Sequence, residues 1–479
     1  MSDSLTALDA TFLELEQQDE GALMSIGGVL VFDPLPEGGA PTVEEVCANL
    51  GERLGQLPRY SQRLSSQRTG GLSWPRWTED ARFRIRDHVG HVALPAPGGH
   101  AELCEWAADF YSHRLDRTRP LWEVALIEGL PGGRWALAHK THHCLVDGVG
   151  SVDVAYLLLD AEPNPPEHPF APPPPPANGS LLRPFVPNAP QPIADVAQAG
   201  ARVARAGVHA ALHPREVLER SRSLADLIVR DELVGAPRSS LNVTIGSTRR
   251  FAVVSRPLAE LKAIRRRLGG SINDVVLAAC TTGLRSLLLE RGEQLSRRGL
   301  RAMVPMNVRQ DSERLMLGNR VSSLFVDLPV AEPLAHERHK KIVAATTRLK
   351  SSGAATGAEA MLDLAALAPP IVHAALARSL YATRLFNVTI TNVPGPQIPL
   401  YAFGAQLREV HPVVPLAAAH SVGIAIFSYN GLVTFGVIAD SESTPDIDVL
   451  AHGIEEGIDE LLALARSANQ LNTIEQART

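Results

Sequence analysis

The pattern of hydrophobic and polar positions along the chain predicts two successive α/β regions. In the first region, β-branched and aromatic residues dominate Ser25–Pro34, which is typical of a strand. Apolar side chains recur at helical spacing over Thr42–Leu57, which predicts an amphipathic helix. The further elements predicted here are a short strand over Phe83–Val89, a helix over Ala101–Leu115, a hairpin over Leu121–His143 and a helix over Ser151–Asp160.

A second α/β pattern begins near residue 240. Asn430 and Gly431 form a strong hairpin-turn signal between two of its predicted strands. The predicted strands are Arg249–Pro257, Arg301–Arg309, Val321–Val330, Phe386–Asn392, His420–Tyr429 and Leu432–Asp440. The predicted helices are Leu258–Gly269, Ser271–Glu290, His336–Leu349 and Ile447–Leu464, and Met361–Phe386 is apolar on most faces.

Between the two patterns the composition changes abruptly. Pro163–Pro192 holds thirteen prolines, and such a run favours polyproline II over a packed core. Ile193–Val234 follows; it is helical in pattern and rich in arginine, as expected of a solvated or domain-bridging helix or of a helix at a membrane surface. We therefore predict an N-terminal domain over 1–162, a connector over 163–238 and a C-terminal domain over 239–479.

Length and composition limit the classes of function. The chain has 479 residues, of which 45% are hydrophobic and 20% charged, which is enough for two to three globular domains. Its net charge of -6 argues against a dedicated nucleic-acid binder, and its aromatics are too few for base-stacking platforms. The acidic N-terminus lacks the features of a signal peptide, and no uninterrupted apolar stretch approaches a membrane span. We expect a soluble or peripherally attached protein with reduced thiols.

The densest polar cluster is the stretch Ala138–Gly150, AHKTHHCLVDGVG. Its histidines, His142 and His143, fall where a strand ends and a helix begins, and Asp147 and Gly148 follow. A metal site is disfavoured because no second group with ligand spacing exists, and Cys144 is poorly placed because neighbouring residues of an extended backbone point to opposite faces. A pair of core or surface histidines and a general base both remain open at this point.

The motif HHCLVDG matches the HHxxxDG signature of CoA-dependent acyltransferases. The blocks around it resemble the bacterial wax ester synthase/acyl-CoA:diacylglycerol acyltransferases. They run in the order of that family from residue 5 to about 440. They are LTALDATFLELE, MSIGGVLVF, RDHVGHVALPAPGG, PLWE, SINDVVLA, GNRVSSLFVDLPV and TNVPGP.

The resemblance implies two chloramphenicol-acetyltransferase-like domains of α/β (α+β) type, with an active-site tunnel between them. It implies that His143 is the general base that deprotonates an alcohol, whose oxygen then attacks an acyl-CoA thioester directly. His142 would orient the loop, Gly148 would let the chain pass close to the cleft, and Asp147 would be structural, with Arg309 as its partner. Acyl-CoA would be a co-substrate, and neither a cofactor nor a metal is expected.

Further residues are candidates for substrate binding or structural support. Asn273 and Asp274 would support the site from the second domain, although a role at the start of a helix is nearly as well founded. Thr391 and Asn392 line the cleft or form the turn before Pro394. Glu16 is a weaker candidate, because a carboxylate on a helix is exposed by default.

The function that the resemblance implies is esterification of diacylglycerol, of a long-chain alcohol or of both, to give triacylglycerol or wax ester. A superfamily relative that acylates a smaller alcohol or amine is one alternative. A catalytically silent protein of lipid surfaces is another. The expected location is the cytoplasm, at the periphery of membranes or lipid inclusions.

Overall fold

The computed structural model describes residues 5, 7–54, 57–65, 75–145, 159–164, 235–307, 321–351 and 385–476. Within them the chain forms two six-stranded sheets and one two-stranded sheet, with helices packed on both large sheets. This arrangement confirms the predicted mixed α/β class with two sheet-rich domains. The boundaries at residues 162 and 238 stay a prediction.

The first large sheet has six strands, in the spatial order 401–402, 405–413, 25–32, 135–142, 122–128 and 89–93. Alternate residues of a strand point to opposite faces. Helix α2 (Val43–Leu54) therefore covers one face beside Leu30 and Phe32, and α3 (His100–Phe110) covers the other beside Val29 and Val31. The elements of this part are α1 (Ala7–Gln18), β1 (Ser25–Phe32), α2 (Val43–Leu54), β2 (Gln62–Leu64), β3 (Trp77–Glu79), β4 (Val89–Ala93), α3 (His100–Phe110), β5 (Trp122–Glu128) and β6 (Trp135–His142).

The second large sheet has the order β7-β14-β13-β10-β8-β9. Its core helix α5 begins at a capping box, in which Ser271 and Asp274 satisfy each other's backbone N–H groups. The elements of this part are β7 (Arg249–Pro257), α4 (Leu258–Leu268), α5 (Ile272–Glu290), β8 (Leu300–Asn307), β9 (Val321–Leu328), α6 (Ala335–Ser351), β10 (Val388–Pro394), β11 (Tyr401–Ala402), β12 (Ala405–Val413), β13 (Val422–Tyr429), β14 (Leu432–Asp440) and α7 (Ile447–Gln476).

Helix α5 is long and apolar enough to cross a membrane by length and composition. Buried residues nevertheless make up 72% of its most apolar 18-residue window. It packs against α4, α6 and α7 within the core of the second sheet domain. Its apolar character is therefore explained by burial inside the protein.

Tyr401–Val413 departs from the predicted division of the chain. This segment was not predicted as a strand, yet β12 pairs antiparallel with β1, from Gly27 opposite Val413 to Phe32 opposite Leu407. It also packs against β13 and β14 of the second sheet. A segment of the predicted C-terminal domain thus completes the first sheet and joins the two.

Several predicted boundaries were wrong. Ile85–His88 forms a 3₁₀ turn, with strand β4 beginning only at Val89, and Arg84 pairs with Asp87 across this turn. Helix α3 ends at Phe110, and the hydroxyl of Tyr111 bonds the β6 backbone instead. At the C-terminal end of the predicted helix over Ser151–Asp160, Asp160 forms a β-bridge with Tyr401, and 151–158 lie outside the described residues.

Candidate active site

The two adjacent histidines lie where β6 ends. The backbone N–H of His142 donates to the carbonyl of Leu121, which continues the pairing with β5. The next backbone N–H, that of His143, donates at 2.8 Å to the carbonyl of Met24, just before β1. The chain then turns, with Leu145 N–H bonded to the His142 carbonyl. The backbone of the histidine pair is therefore fixed from both neighbouring strands.

The side chain of His142 is fully buried, with a hydrogen bond at Nδ1 and a carboxylate near Nε2. Its Nδ1 accepts a hydrogen bond from the backbone N–H of Cys144 at 3.1 Å. A neutral imidazole that accepts at Nδ1 carries its proton on Nε2. That nitrogen lies 3.5 Å from Oε2 of Glu16, which is long for a hydrogen bond but close enough for electrostatic attraction. This geometry suits an orienting role for His142.

Glu16, on α1, is 1% exposed, so the expectation of an exposed carboxylate was wrong. Its Oε2 accepts from Arg117 at 2.7 Å, and its Oε1 accepts from the backbone N–H of Met24 at 3.2 Å. Burial raises the pKa of this carboxyl, but the nearby Nε2–H of His142 and the guanidinium of Arg117 outweigh burial and lower its pKa to about 2. Glu16 is therefore a carboxylate that ties α1, β1 and the histidine turn together.

His143 has a different environment. The ring of Phe12 stacks on its imidazole, with centroids 3.8 Å apart and planes 18° apart. Its Nδ1 is buried with no hydrogen-bond partner among the described residues, while the residue as a whole keeps partial solvent access. Burial lowers the pKa of His143 to about 4; its own backbone opposes this and the neighbouring His142 adds to it. The imidazole is therefore neutral near pH 7.

Two other chemistries find little support around this turn. The thiol of Cys144 is 4% exposed, and burial raises its pKa well above the usual range, which leaves it protonated and a poor nucleophile. Among the residues described here, no group of three or more His, Cys, Asp or Glu side chains could hold a metal ion.

The second sheet domain brings two of its predicted residues together. The amide of Asn392 donates to Oδ1 of Asn273 at 3.2 Å, and both side chains are partly exposed, as is the neighbouring Thr391. Asp274 points elsewhere: it caps α5 through Ser271 and accepts from Thr346 at 2.7 Å. The asparagines can therefore offer polar atoms to a ligand, whereas Asp274 has a structural position.

Three predicted site residues, Asp147, Gly148 and Arg309, lie outside the described residues. Conversely, Phe12 and Arg117 were not singled out from the sequence. Phe12 and Glu16 are four residues apart on α1 and thus share one helix face, a spacing visible in LTALDATFLELE. Nothing in the sequence around Arg117 indicates its partner, which lies about a hundred residues earlier.

Two sheet-rich domains with a paired histidine at a strand end define a class of protein, the acyltransferases that share the chloramphenicol-acetyltransferase-like fold. The sequence profile of the wax ester synthase/diacylglycerol acyltransferase catalytic domain matches residues 5–276, and that of the family's C-terminal domain matches residues 317–462. The chain belongs to this family, which confirms the predicted enzyme class.

Relatives match over nearly the whole chain. A probable diacylglycerol O-acyltransferase of Mycobacterium tuberculosis is 33% identical over 474 residues, which is 96% of each chain. A putative diacylglycerol O-acyltransferase of the same species is 30% identical over 468 residues, covering 96% of this chain and 90% of the relative. The solved wax ester synthase/diacylglycerol acyltransferase of Marinobacter aquaeolei superposes with a TM-score of 0.67 at 29% identity, covering 96% of this chain and 99% of that one.

Condensation domains of synthetases share the fold. The first condensation domain of the CDA synthetase matches with a TM-score of 0.60 at 16% identity, covering 97% of this chain and 96% of that one. The likeness supports the two-domain architecture and carries no statement about substrate.

Proposed function

We propose that this protein transfers the acyl group of acyl-CoA to the hydroxyl of diacylglycerol, of a long-chain alcohol or of both, with His143 as the general base. The observation that carries the proposal is the state of His143: a neutral imidazole at the end of a strand, fixed through its backbone and stacked by Phe12. The names of the relatives, and the large share of both chains over which they match, support this choice of donor and acceptors.

The proposed step begins with proton transfer. Because Nδ1 of His143 is buried, Nε2 is the nitrogen able to meet a substrate, and the ring proton then resides on Nδ1. Nε2 takes the hydroxyl proton as the oxygen attacks the thioester carbonyl carbon. The C–S bond breaks, an ester forms, and the proton passes to the leaving CoA sulfur. No acyl-enzyme is required, in keeping with the buried, protonated thiol of Cys144.

The other residues of the site would hold this base and its substrates. The buried His142 and Glu16, with the partly exposed Arg117, form a support beneath the turn. Asn273 and Asn392 would bind a polar group of the substrate from the second domain. Asp147, paired with Arg309, and Gly148 would shape the backbone after the histidines.

The test is an assay of labelled acyl-CoA with an acceptor panel: diacylglycerol, a long-chain alcohol, and short polar alcohols and amines. Wild-type protein should esterify the lipid acceptors. His143→Ala should abolish most turnover with all of them, while His452→Ala, which removes a histidine with a 69% exposed side chain, should leave it unchanged. Unchanged turnover in His143→Ala contradicts the mechanism, and turnover of short polar acceptors alone contradicts the proposed substrates.

We also propose that the protein works in the cytoplasm at the surface of a membrane or lipid inclusion. The proposed acceptors and products are poorly soluble in water, which supports this location. Within the described part of the chain, four large apolar side chains are exposed: Leu289, Leu334, Ile398 and Leu464. Co-sedimentation with liposomes should show binding, and protein that stays wholly in the supernatant contradicts it.

A further inference from the structure

The segment Gly21–Met24 joins the histidine turn to the second sheet domain. Its last carbonyl, that of Met24, accepts the backbone N–H of His143 at 2.8 Å. Its first carbonyl, that of Gly21, accepts a hydrogen bond from Nη2 of Arg249 at the start of β7. We propose that Arg249 is a positioning residue, which holds the main chain of the base from the other domain. The proposal deepens the proposed function and rests on it for the role of His143.

The guanidinium of Arg249 donates to three main-chain carbonyls. Nη1 bonds to Gly246 at 2.7 Å and to Thr248 at 3.1 Å, both just before β7, while Nη2 bonds to Gly21. The backbone N–H of Arg249 donates to Oγ of Ser112 at 2.9 Å, so the side chain starts from a fixed point. A planar guanidinium also fixes the directions of its donors relative to one another. The position of Gly21 is therefore set relative to the loop before β7.

The side chain of Arg249 is 1% exposed, and a buried carboxylate balances its charge. Oδ1 of Asp440 lies 3.9 Å from Nη1, and the Asp440 side chain is equally buried. Burial lowers the pKa of Arg249 to about 10, although the charges of Asp440 and Asp19 oppose this, so the guanidinium stays charged near pH 7. Burying both charges is costly, and apolar side chains of similar size could join two domains as well. What the guanidinium adds is hydrogen bonds of fixed direction.

The two domains meet at Gly21 without room for a side chain. A Cβ at this position would clash with the carbonyl oxygens of Ile245 and Gly246, in the same loop before β7. The carbonyl of Gly21 also accepts the backbone N–H of Leu23 at 3.1 Å, which closes a turn. Because main chain meets main chain here, a shift of the loop before β7 must be transmitted to Gly21.

The path from Gly21 to the base is short and buried. Met24 lies only three residues further along the chain and is 3% exposed. It belongs to a small apolar cluster against which Phe12 packs. Phe12 is also the ring that stacks on His143. Both the main chain and the stacked ring of the base therefore depend on where this segment lies.

Arg249→Met removes the three hydrogen bonds and keeps an apolar chain of similar length. It should lower kcat about tenfold and leave KM within about twofold, because only the alignment of the base changes, and a misplacement of about 1 Å can cost about 100-fold. Arg249→Lys keeps the charge but loses the planar fork, so its kcat should lie between those of Arg249→Met and the wild type.

Arg250→Met is the matched control. Arg250 is the next residue of β7, its side chain is 45% exposed, and it pairs with Asp448 of α7. Its kcat and KM should equal those of the wild type. All rates are compared per folded molecule, with the folded fraction taken from near-UV circular dichroism.

A double variant separates positioning from a general loss of structure. In the His143→Ala background the base is absent, so adding Arg249→Met should lower the residual rate by less than about twofold. An equal loss of rate per folded molecule in both backgrounds shows that Arg249 does not act through His143 and overturns the proposal. A rise in KM with unchanged kcat in Arg249→Met also overturns it.

Amide hydrogen exchange reports on the same contact without turnover. In Arg249→Met the His143 amide, which bonds to Met24, should exchange about tenfold faster. The His142 amide, which bonds to Leu121, should keep its wild-type rate. Wild-type kcat together with wild-type exchange at His143 overturns the proposal, and Arg249→Lys decides in the same way where Arg249→Met does not fold. Faster exchange at His143 combined with full activity of His143→Ala refutes the proposed function alone.

Discussion

His142 and His143 are neighbours in the chain with opposite surroundings. His142 is fully buried, accepts a bond at Nδ1 and directs Nε2 at a carboxylate. His143 has no partner for Nδ1 among the described residues, stacks on Phe12 and keeps partial solvent access. His142 is the last residue of β6 and His143 the first of the turn, and their rings have separate contacts. His142 is therefore suited to support the turn, and His143 is suited to act as the base.

The largest expected effect is a difference between the alanine variants of the two histidines, one of which should lose mainly activity and the other mainly stability. His143→Ala should lower kcat by about 10²–10⁴-fold, the usual contribution of a general base. It should change the free energy of unfolding by only about 0.5–1.5 kcal/mol, the value of the lost stack on Phe12. His142→Ala should instead lose about 2–4 kcal/mol of stability, since it leaves a cavity and unpaired polar groups. Urea unfolding and initial rates on both variants measure this contrast. If the two variants lost the same activity and the same stability, the predicted contrast between the histidines would be contradicted.

The second effect concerns the support beneath His142. Glu16→Ala removes the acceptor for Arg117 and for the Met24 N–H, which should cost about 1–3 kcal/mol once the partial exposure of Arg117 is allowed for. Glu16→Gln keeps one acceptor oxygen and should cost less. Gln17→Ala, at an exposed position of the same helix, is the control and should be near neutral. Thermal unfolding is the measurement, and a Glu16→Ala protein as stable as the control would refute a supporting role.

The smallest effect concerns the ring over His143. Phe12→Leu keeps an apolar side chain but loses the stacked pair, which is worth about 0.5–1.5 kcal/mol. The base would then be less fixed and better solvated, so its pKa should rise and kcat should fall by a few fold, with KM little changed. A pH series of kcat and KM tests this. An unchanged pH profile and kcat would show that Phe12 does not position the base.

Elements that have local sequence signals could be predicted, whereas contacts between residues remote in sequence could not. Strands rich in β-branched residues and the turn at Asn430–Gly431 are local signals, and the structure has the hairpin there, with both residues at positive φ. The pairing of β12 with β1 is not local: it joins segments almost 400 residues apart, and the charges and proline of AQLREVHPV weaken its strand pattern.

The site divides in the same way. HHCLVDG located the two histidines, whereas strand alternation does not exclude Cys144 as a partner of His143, because both residues lie in the turn after β6. The burial of Glu16 could not be predicted, because the residue that compensates its charge, Arg117, is remote in sequence. Asn273 and Asn392 meet only because α5 and β10 pack within one domain. Sequence motifs thus identified side chains of the candidate site, while tertiary packing decided which of them are exposed and which are buried with a partner.

The protonation of His143 tests the central claim most directly. Histidine ring resonances can be titrated by NMR, with His143 assigned from the signal missing in His143→Asn. We predict that His143 stays neutral as the pH falls through 6.5 and titrates near pH 4 or not at all before the protein unfolds. A midpoint at 6.5 or above would contradict the account, because the ring would then be an ordinary solvated imidazole.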